Sequence, residues 1–101
     1  MIIKFKTQFY NQIINKEKTQ TIRYWKFCKL KNNDKIICDF GYNKINATIE
    51  NIISKTFNEI TDNEIIADGF KSKIELLNTL KKFYPDFNEN KKLYLIKFKI
   101  N

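Results

Sequence analysis

The segment Lys18-Thr19-Gln20-Thr21-Ile22-Arg23 combines two cationic side chains with two hydroxyl side chains within six residues. It contains the only arginine of a chain that has eighteen lysines. In so lysine-rich a sequence, a guanidinium group indicates a position where a planar fork of N–H donors is needed. Arg23 therefore either grips a phosphate, carboxylate or base edge through two hydrogen bonds, or pins its own loop to a backbone carbonyl or to a carboxylate such as Asp34.

Basic and aromatic residues are concentrated around this segment. Between residues 16 and 31, six cations stand against the single acid Glu17, so this stretch holds +5 of the net charge of +8. Because phosphates pair with cations and bases stack on aromatic rings, the pattern predicts contact with single-stranded nucleic acid. Alternatively, the charges are solvated and Trp25 fills the core. The predicted ligand-contacting residues are Lys16, Lys18, Thr19, Arg23, Tyr24, Trp25 and Lys26.

The N-terminal half has patterns of both strand and helix. Apolar and basic residues alternate over residues 3–5, which predicts a first strand, and helical spacing over 9–15 predicts a short helix. Residues 16–34 are polar and poorly periodic, so we expect a long loop there. Residues 35–40 and 45–49, joined by a Gly-Tyr-Asn turn, predict a β-hairpin.

The C-terminal half predicts two helices and a last strand. Thr61 with Glu64 and Ser72 with Glu75 have the spacing of helix-capping boxes. Residues 93–100 alternate as a strand with two distinct faces. The second helix is expected to bury one stripe, formed by Leu76, Leu77, Leu80, Phe83 and Tyr84.

The composition predicts one globular domain spanning residues 1–101, of the α+β class. Two cysteines and no histidine leave no four-ligand zinc set, so no metal or cofactor is expected, and Cys28 and Cys38 are expected to be free thiols. No apolar run approaches the roughly 20 residues that cross a bilayer. We therefore expect a cytoplasmic protein without a membrane partner, favouring a monomer.

The segment 18–23 resembles the signature of the ASCH domain family, a branch of the PUA-like superfold. The resemblance extends over the whole chain in the same order, through Asn33-Asp34, the helix start at Thr61 to Glu64, the turn Asp68-Gly69-Phe70-Lys71-Ser72, Tyr84-Pro85 and the strand from Tyr94 to Phe98. It implies a small β-barrel with flanking helices and a basic cleft, lined by the signature, that accepts RNA or a nucleoside-like ligand.

The resemblance also implies an alternative, enzymatic function. Small bacterial members of the family are amidohydrolases that deacetylate N4-acetylcytidine with a lysine, a threonine and a glutamate. The lysine falls on Lys18 and the threonine on Thr21, whereas the acid falls on Asp68, a shorter side chain, with Glu64 as the alternative. Thr21 would be the nucleophile and Lys18 its base, which requires a lysine pKa well below the usual value of about 10.4. Ribonuclease activity is a third and less favoured reading, since the chain has no histidine.

Overall fold

The computed structural model describes residues 1–101 as an α+β domain, which confirms the predicted class. The strands are β1 (Ile2–Lys4), β2 (Gln20–Arg23), β3 (Lys35–Asp39), β4 (Lys44–Thr56) and β5 (Lys92–Ile100). The helices are α1 (Tyr10–Ile14), α2 (Asp62–Ala67) and α3 (Lys73–Phe83), with 3₁₀ turns at Thr7–Phe9 and Phe57–Glu59.

The five strands form one sheet in the order β1-β3-β4-β5-β2. β1 runs parallel to β3, and the other neighbours are antiparallel. The predicted hairpin is confirmed by the pairing of β3 with β4, in which Cys38 lies opposite Ile45. β1 and β2 lie at the two edges and do not pair with each other, so the sheet is open and the predicted barrel is not confirmed.

Strand β2 lies inside the stretch predicted to be a long loop, and that part of the prediction was wrong. Its residues Gln20, Thr21 and Ile22 are buried, and Thr21 pairs with Ile96 of β5. With only four residues, β2 is too short to show a clear alternation of apolar and polar side chains. Tertiary pairing with a distant part of the sequence therefore determines this strand.

Two apolar clusters pack on the sheet, and β5 contributes to both. Ile96 and Phe98 of β5 belong to the first cluster, whereas Leu93 and Leu95 belong to the second. The two faces predicted for this strand are therefore confirmed. The first cluster comprises Ile3, Ile13, Ile36, Cys38, Phe40, Ala47, Ile49, Ile96 and Phe98. The second comprises Ile22, Phe57, Ile60, Ile65, Leu76, Leu80, Phe87, Leu93 and Leu95.

Helix α3 buries only part of its predicted stripe. Leu76 and Leu80 are buried in the second cluster, with Leu77 and Tyr84 packed partly against it. Phe83 is 47% exposed, so its inclusion in the buried stripe was wrong. It is the last residue of the helix and belongs to neither apolar cluster. None of the helices combines the length and apolar character that a bilayer crossing requires.

Candidate functional site

A cleft of about 650 Å³ opens where the end of β1, helix α1, strand β2 and helix α3 meet. Its lining mixes aromatic, amide and hydroxyl side chains with charged ones. The charged residues of the lining are Lys4, Lys6, Lys18, Arg23, Lys71, Lys82, Asp68 and Glu75. The volume lies in the usual range of small-ligand sites, about 300 to 1,000 Å³.

The wall of the cleft contains a buried ion pair between Lys18 and Asp68. The Lys18 ammonium donates to Oδ1 of Asp68 over 2.9 Å and also to the Asp68 backbone carbonyl. Both side chains are almost fully buried, at 3% and 4% exposure. Burial lowers the pKa of Lys18, although Asp68 opposes this. Burial likewise raises the pKa of Asp68 to about 6 against the effect of Lys18, because neither charge is hydrated there.

The end of helix α2 sets the position of Asp68. Asp68 is the C-cap of α2, and Gly69 follows in the left-handed conformation with φ of 91°. The N–H of Gly69 donates to Ile66 and that of Phe70 to Ile65, which is the hydrogen-bond pattern of a Schellman motif. The reversal turns the carboxylate of Asp68 towards β2. Its Oδ1 there accepts a second hydrogen bond, from the N–H of Ile22 over 2.9 Å.

Backbone hydrogen bonds also fix the position of Lys18. Its N–H donates to the carbonyl of Gln12 in α1, and the N–H of Thr19 donates to the carbonyl of Ala67 in α2. These bonds tie the start of β2 to two helices at once. The ammonium nitrogen lies 4.9 Å from the ring centroid of Phe9, within the range of a cation–π contact.

Arg23 makes contacts inside the protein rather than projecting freely into the cleft. Its Nε donates to Oγ1 of Thr21 over 2.9 Å, and its Nη2 donates to the backbone carbonyl of Lys4 over 2.8 Å. The guanidinium lies 4.8 Å from the ring centroid of Phe5. Of the two alternatives for Arg23, the structure therefore shows the one in which the side chain is held by a backbone carbonyl, which is that of Lys4. Asp34 does not bind Arg23; its carboxylate accepts from the N–H of Lys31. Burial lowers the pKa of Arg23.

Lys18, Thr21 and Asp68, the predicted catalytic residues, all line the cleft. Thr21 is buried, and its hydroxyl accepts from Arg23 and makes no hydrogen bond to Lys18. Glu64, the alternative acid, lies elsewhere. Its carboxylate bonds to Lys55 and caps the start of α2, so it is not part of the cleft lining.

Most of the predicted ligand-contacting residues lie outside the cleft. The Tyr24 ring packs edge-on against Tyr84 and Phe87, and Trp25 packs against Tyr94 beside the first cluster. For Trp25 the structure therefore shows the core-filling alternative. The predicted residues that do not line the cleft are Lys16, Thr19, Tyr24, Trp25 and Lys26.

Four lysines that the sequence analysis did not single out line the cleft instead. Lys4 ends β1 and Lys6 follows it, whereas Lys71 precedes α3 and Lys82 lies in its last turn. The alternation over residues 3–5 places Lys4 on the face opposite the core. No local pattern brings it to Lys71 and Lys82, because only the tertiary fold joins these segments.

Comparisons with known proteins identify the fold. No protein-family model and no curated protein sequence matches the chain. Its structure superposes on the ASCH domain from Lactobacillus crispatus with a TM-score of 0.75 and 16% identity, covering 89% of this chain and 68% of that one. The hypothetical protein PH0355 gives a TM-score of 0.81 and 19% identity, covering 99% and 97%. The ASCH protein from Zymomonas mobilis gives 0.67 and 16%, covering 97% and 65%, so this chain spans slightly less than two thirds of its length. The chain therefore has the ASCH-domain fold.

Proposed function

We propose that the chain binds single-stranded RNA, or a modified nucleotide derived from it, in the cleft. The observation that supports this most directly is the charge of the lining. Lys4, Lys6, Lys71 and Lys82 line the cleft, and none of them has a carboxylate within ion-pair distance. Four unpaired cations around one concave surface attract a polyanion.

The neutral polar groups of the lining can contact the base and sugar of a nucleotide, in addition to the lysines that attract its phosphate. Gln12, Thr21 and Thr79 supply amide and hydroxyl groups that can hydrogen-bond to base or sugar edges. The aromatic lining adds surfaces on which a base can stack. A basic cleft with both kinds of neutral contact is typical of single-strand RNA recognition.

Fluorescence anisotropy with a labelled eight-nucleotide RNA, at salt concentrations from 50 to 200 mM, tests the proposal. Four phosphate contacts on a single strand predict that affinity falls about fifty-fold over this range. The double variant Lys4→Ala/Lys71→Ala should bind more weakly and have a shallower salt dependence. The matched control Lys97→Ala/Lys99→Ala removes two exposed lysines of β5 that do not line the cleft and should bind as the unmodified protein does. Salt-independent binding, or equal losses in both variants, would contradict the proposal.

A second function, deacylation of N4-acetylcytidine, is supported by the meeting of Lys18, Thr21 and Asp68 at one cleft wall. In this reaction the Thr21 oxygen attacks the acetyl carbonyl and its proton passes to Lys18. The C–N bond then breaks, the cytidine amine takes up a proton, and water hydrolyses the resulting acetyl ester. The Arg23 N–H that donates to Thr21 Oγ1 would favour loss of the threonine proton to Lys18.

The protonation state of Lys18 decides whether this chemistry works. Burial lowers the lysine pKa, which favours the neutral amine, but Asp68 holds the ammonium form. A ligand that draws the Asp68 carboxylate into its own hydrogen bond would release Lys18 to act as the base. Chromatographic detection of cytidine from N4-acetylcytidine tests this function, with Thr21→Ala compared with Ser54→Ala, which removes an exposed hydroxyl of β4 outside the cleft. Loss of release in Thr21→Ala alone is expected; equal release by both variants would remove Thr21 as the nucleophile.

A further inference from the structure

The mouth of the cleft is formed partly by an exposed aromatic ring at the end of α3. Phe83 is 47% exposed and lines the cleft, and the ammonium of Lys6 lies 4.0 Å from its ring centroid. We propose that Phe83 is a stacking platform for one nucleobase of the bound strand. This inference rests on the RNA-binding function proposed above and names the contact that would hold a base.

Phe83 differs from the other aromatic residues of the cleft in its exposure. The other four aromatic residues of the lining are at least half buried, which makes them part of the walls: Phe5, Phe9, Phe70 and Tyr84. The ring of Phe83 lies at the last position of α3, outside both apolar clusters. A large apolar ring that contributes no core packing and faces a cleft is available to a ligand.

The charges around Phe83 favour a nucleic acid strand as the occupant. Lys82 precedes it in the chain, and Lys6 reaches over its ring from the end of β1. Neither lysine has a carboxylate partner. A base stacked on the ring would place its flanking phosphates among these cations, the combination that single-strand binding grooves use.

The Lys6 ammonium lies over the Phe83 ring, where the base would stack. Cations and bases both bind the face of an aromatic ring, so Lys6 covers a surface that a base would need. A phosphate next to the incoming base offers Lys6 a stronger, charge-assisted partner. Binding would therefore move Lys6 from the ring to the backbone of the strand and leave the ring to the base.

Anisotropy with the eight-nucleotide RNA and variants at Phe83 tests the proposal. If Phe83 stacks on one base, Phe83→Ala should bind the RNA about 5- to 150-fold more weakly than the unmodified protein. Phe83→Leu keeps the apolar bulk without the aromatic face and should also bind weakly, whereas Phe83→Trp should bind at least as tightly as the unmodified protein. Tyr42→Ala is the matched control, because Tyr42 is fully exposed in the β3–β4 turn and does not line the cleft.

A base analogue gives a direct readout of stacking. RNA containing 2-aminopurine should lose fluorescence on binding to the unmodified protein and to Phe83→Trp, but not on binding to Phe83→Ala at saturating concentration. Equal affinity of Phe83→Ala or Phe83→Leu and the unmodified protein would overturn the stacking role while leaving RNA binding intact. Absence of any binding by the unmodified protein would instead overturn the proposed function, and the stacking role with it.

Discussion

Arg23, the last residue of β2, donates from Nη2 to the backbone carbonyl of Lys4, the last residue of β1, over 2.8 Å. These two strands are the opposite edges of the sheet. One guanidinium therefore spans the gap that backbone pairing leaves open. The same side chain holds the hydroxyl of Thr21 through Nε, so the shape of the cleft and the orientation of Thr21 depend on one residue.

We expect Arg23→Lys to be destabilising although it keeps the charge. An ammonium group cannot reach two acceptors in the fixed geometry of a guanidinium, so one of the two hydrogen bonds is lost. The expected loss in the free energy of unfolding is about 1 to 2 kcal/mol, measured by urea denaturation. Lys26→Arg, at an exposed position of the neighbouring loop, is a control that should leave stability unchanged. Equal stability of Arg23→Lys and the unmodified protein would show that the bridge between the edges contributes nothing.

The buried pair of Lys18 and Asp68 should give strongly non-additive substitutions. Lys18→Met leaves the Asp68 carboxylate buried without its counter-charge and should cost about 3 to 5 kcal/mol. Asp68→Asn should cost less, because the raised pKa of Asp68 means that burial already favours its neutral form. The double variant should recover most of the loss, because Met and Asn bury no charge and Asn keeps the acceptor for Ile22 N–H. Additive losses in a double-mutant cycle would contradict this account.

The raised pKa of Asp68 predicts an unusual pH dependence of stability. Burial raises this pKa to about 6, against an unfolded value of about 3.9. Between these values the folded state holds more protons than the unfolded state, so the contribution of Asp68 is present below about pH 4 and lost as pH rises through 6. One proton gives a slope of at most about 1.4 kcal/mol per pH unit.

The window from about pH 4.5 to 6 isolates this effect, since unfolded glutamates titrate near 4.3. Hydrogen bonds from Thr56 lower the pKa of Glu59, and in Glu64 the hydrogen bonds outweigh the opposing effect of burial. Their contributions to stability are therefore lost only below this window. Urea denaturation across this window should show that the stability of the unmodified protein decreases as pH rises, whereas the stability of Asp68→Asn does not. Parallel profiles for the two proteins would contradict the raised pKa.

Gln12 should be replaceable by an apolar side chain with a gain in stability. Its Oε1 is buried and has no hydrogen-bond partner. Gln12→Met removes this unpaired acceptor at nearly constant volume and is expected to raise the free energy of unfolding by about 1 kcal/mol. Gln8→Met, at an exposed position of the same cleft, should have little effect. A loss of stability in Gln12→Met would show that the amide is satisfied in solution.

The two glycines offer a matched test of close packing behind the cleft. Gly41 and Gly69 have positive φ angles of 92° and 91°, so alanine is strained at either position. A Cβ at residue 69 would lie 2.9 Å from Oε1 of Gln12, whereas one at residue 41 would meet nothing within 4 Å. Gly69→Ala should therefore lower the melting temperature more than Gly41→Ala, and Gln12→Ala should relieve part of the difference. Equal losses would show that only the backbone conformation matters.

Local patterns in the sequence predicted the elements whose structure is determined locally. The β3–β4 hairpin, the Thr61–Glu64 capping box and the two faces of β5 were all visible within windows of a few residues. Strand β2 was missed because its only strand partner, β5, lies at the other end of the chain. Closed-barrel geometry was expected from the resemblance, whereas the edge strands here remain unpaired.

The candidate site was likewise predicted only in part, because some of its residues are brought together by tertiary structure. The resemblance indicated Lys18, Thr21 and Asp68, and the fold brings all three to one cleft. Composition alone suggested Tyr24 and Trp25 as stacking residues, but an aromatic ring beside lysines can face solvent or pack inside, and both rings pack inside. The convergence of cleft lysines from β1 and α3 depends on tertiary structure that no local pattern encodes.

Strand β5 lies between β4 and β2, and it is the only strand that pairs with β2. We therefore expect the segment that supplies Lys18, Thr21 and Arg23 to become ordered after residues 92–100 have joined the sheet. Closing so long a loop is slow compared with forming helices or the β3–β4 hairpin. We therefore expect β2 to stay unpaired during synthesis on the ribosome until β5 has left the exit tunnel. The basic segment around β2 would then remain exposed on the nascent chain after the β3–β4 hairpin has formed.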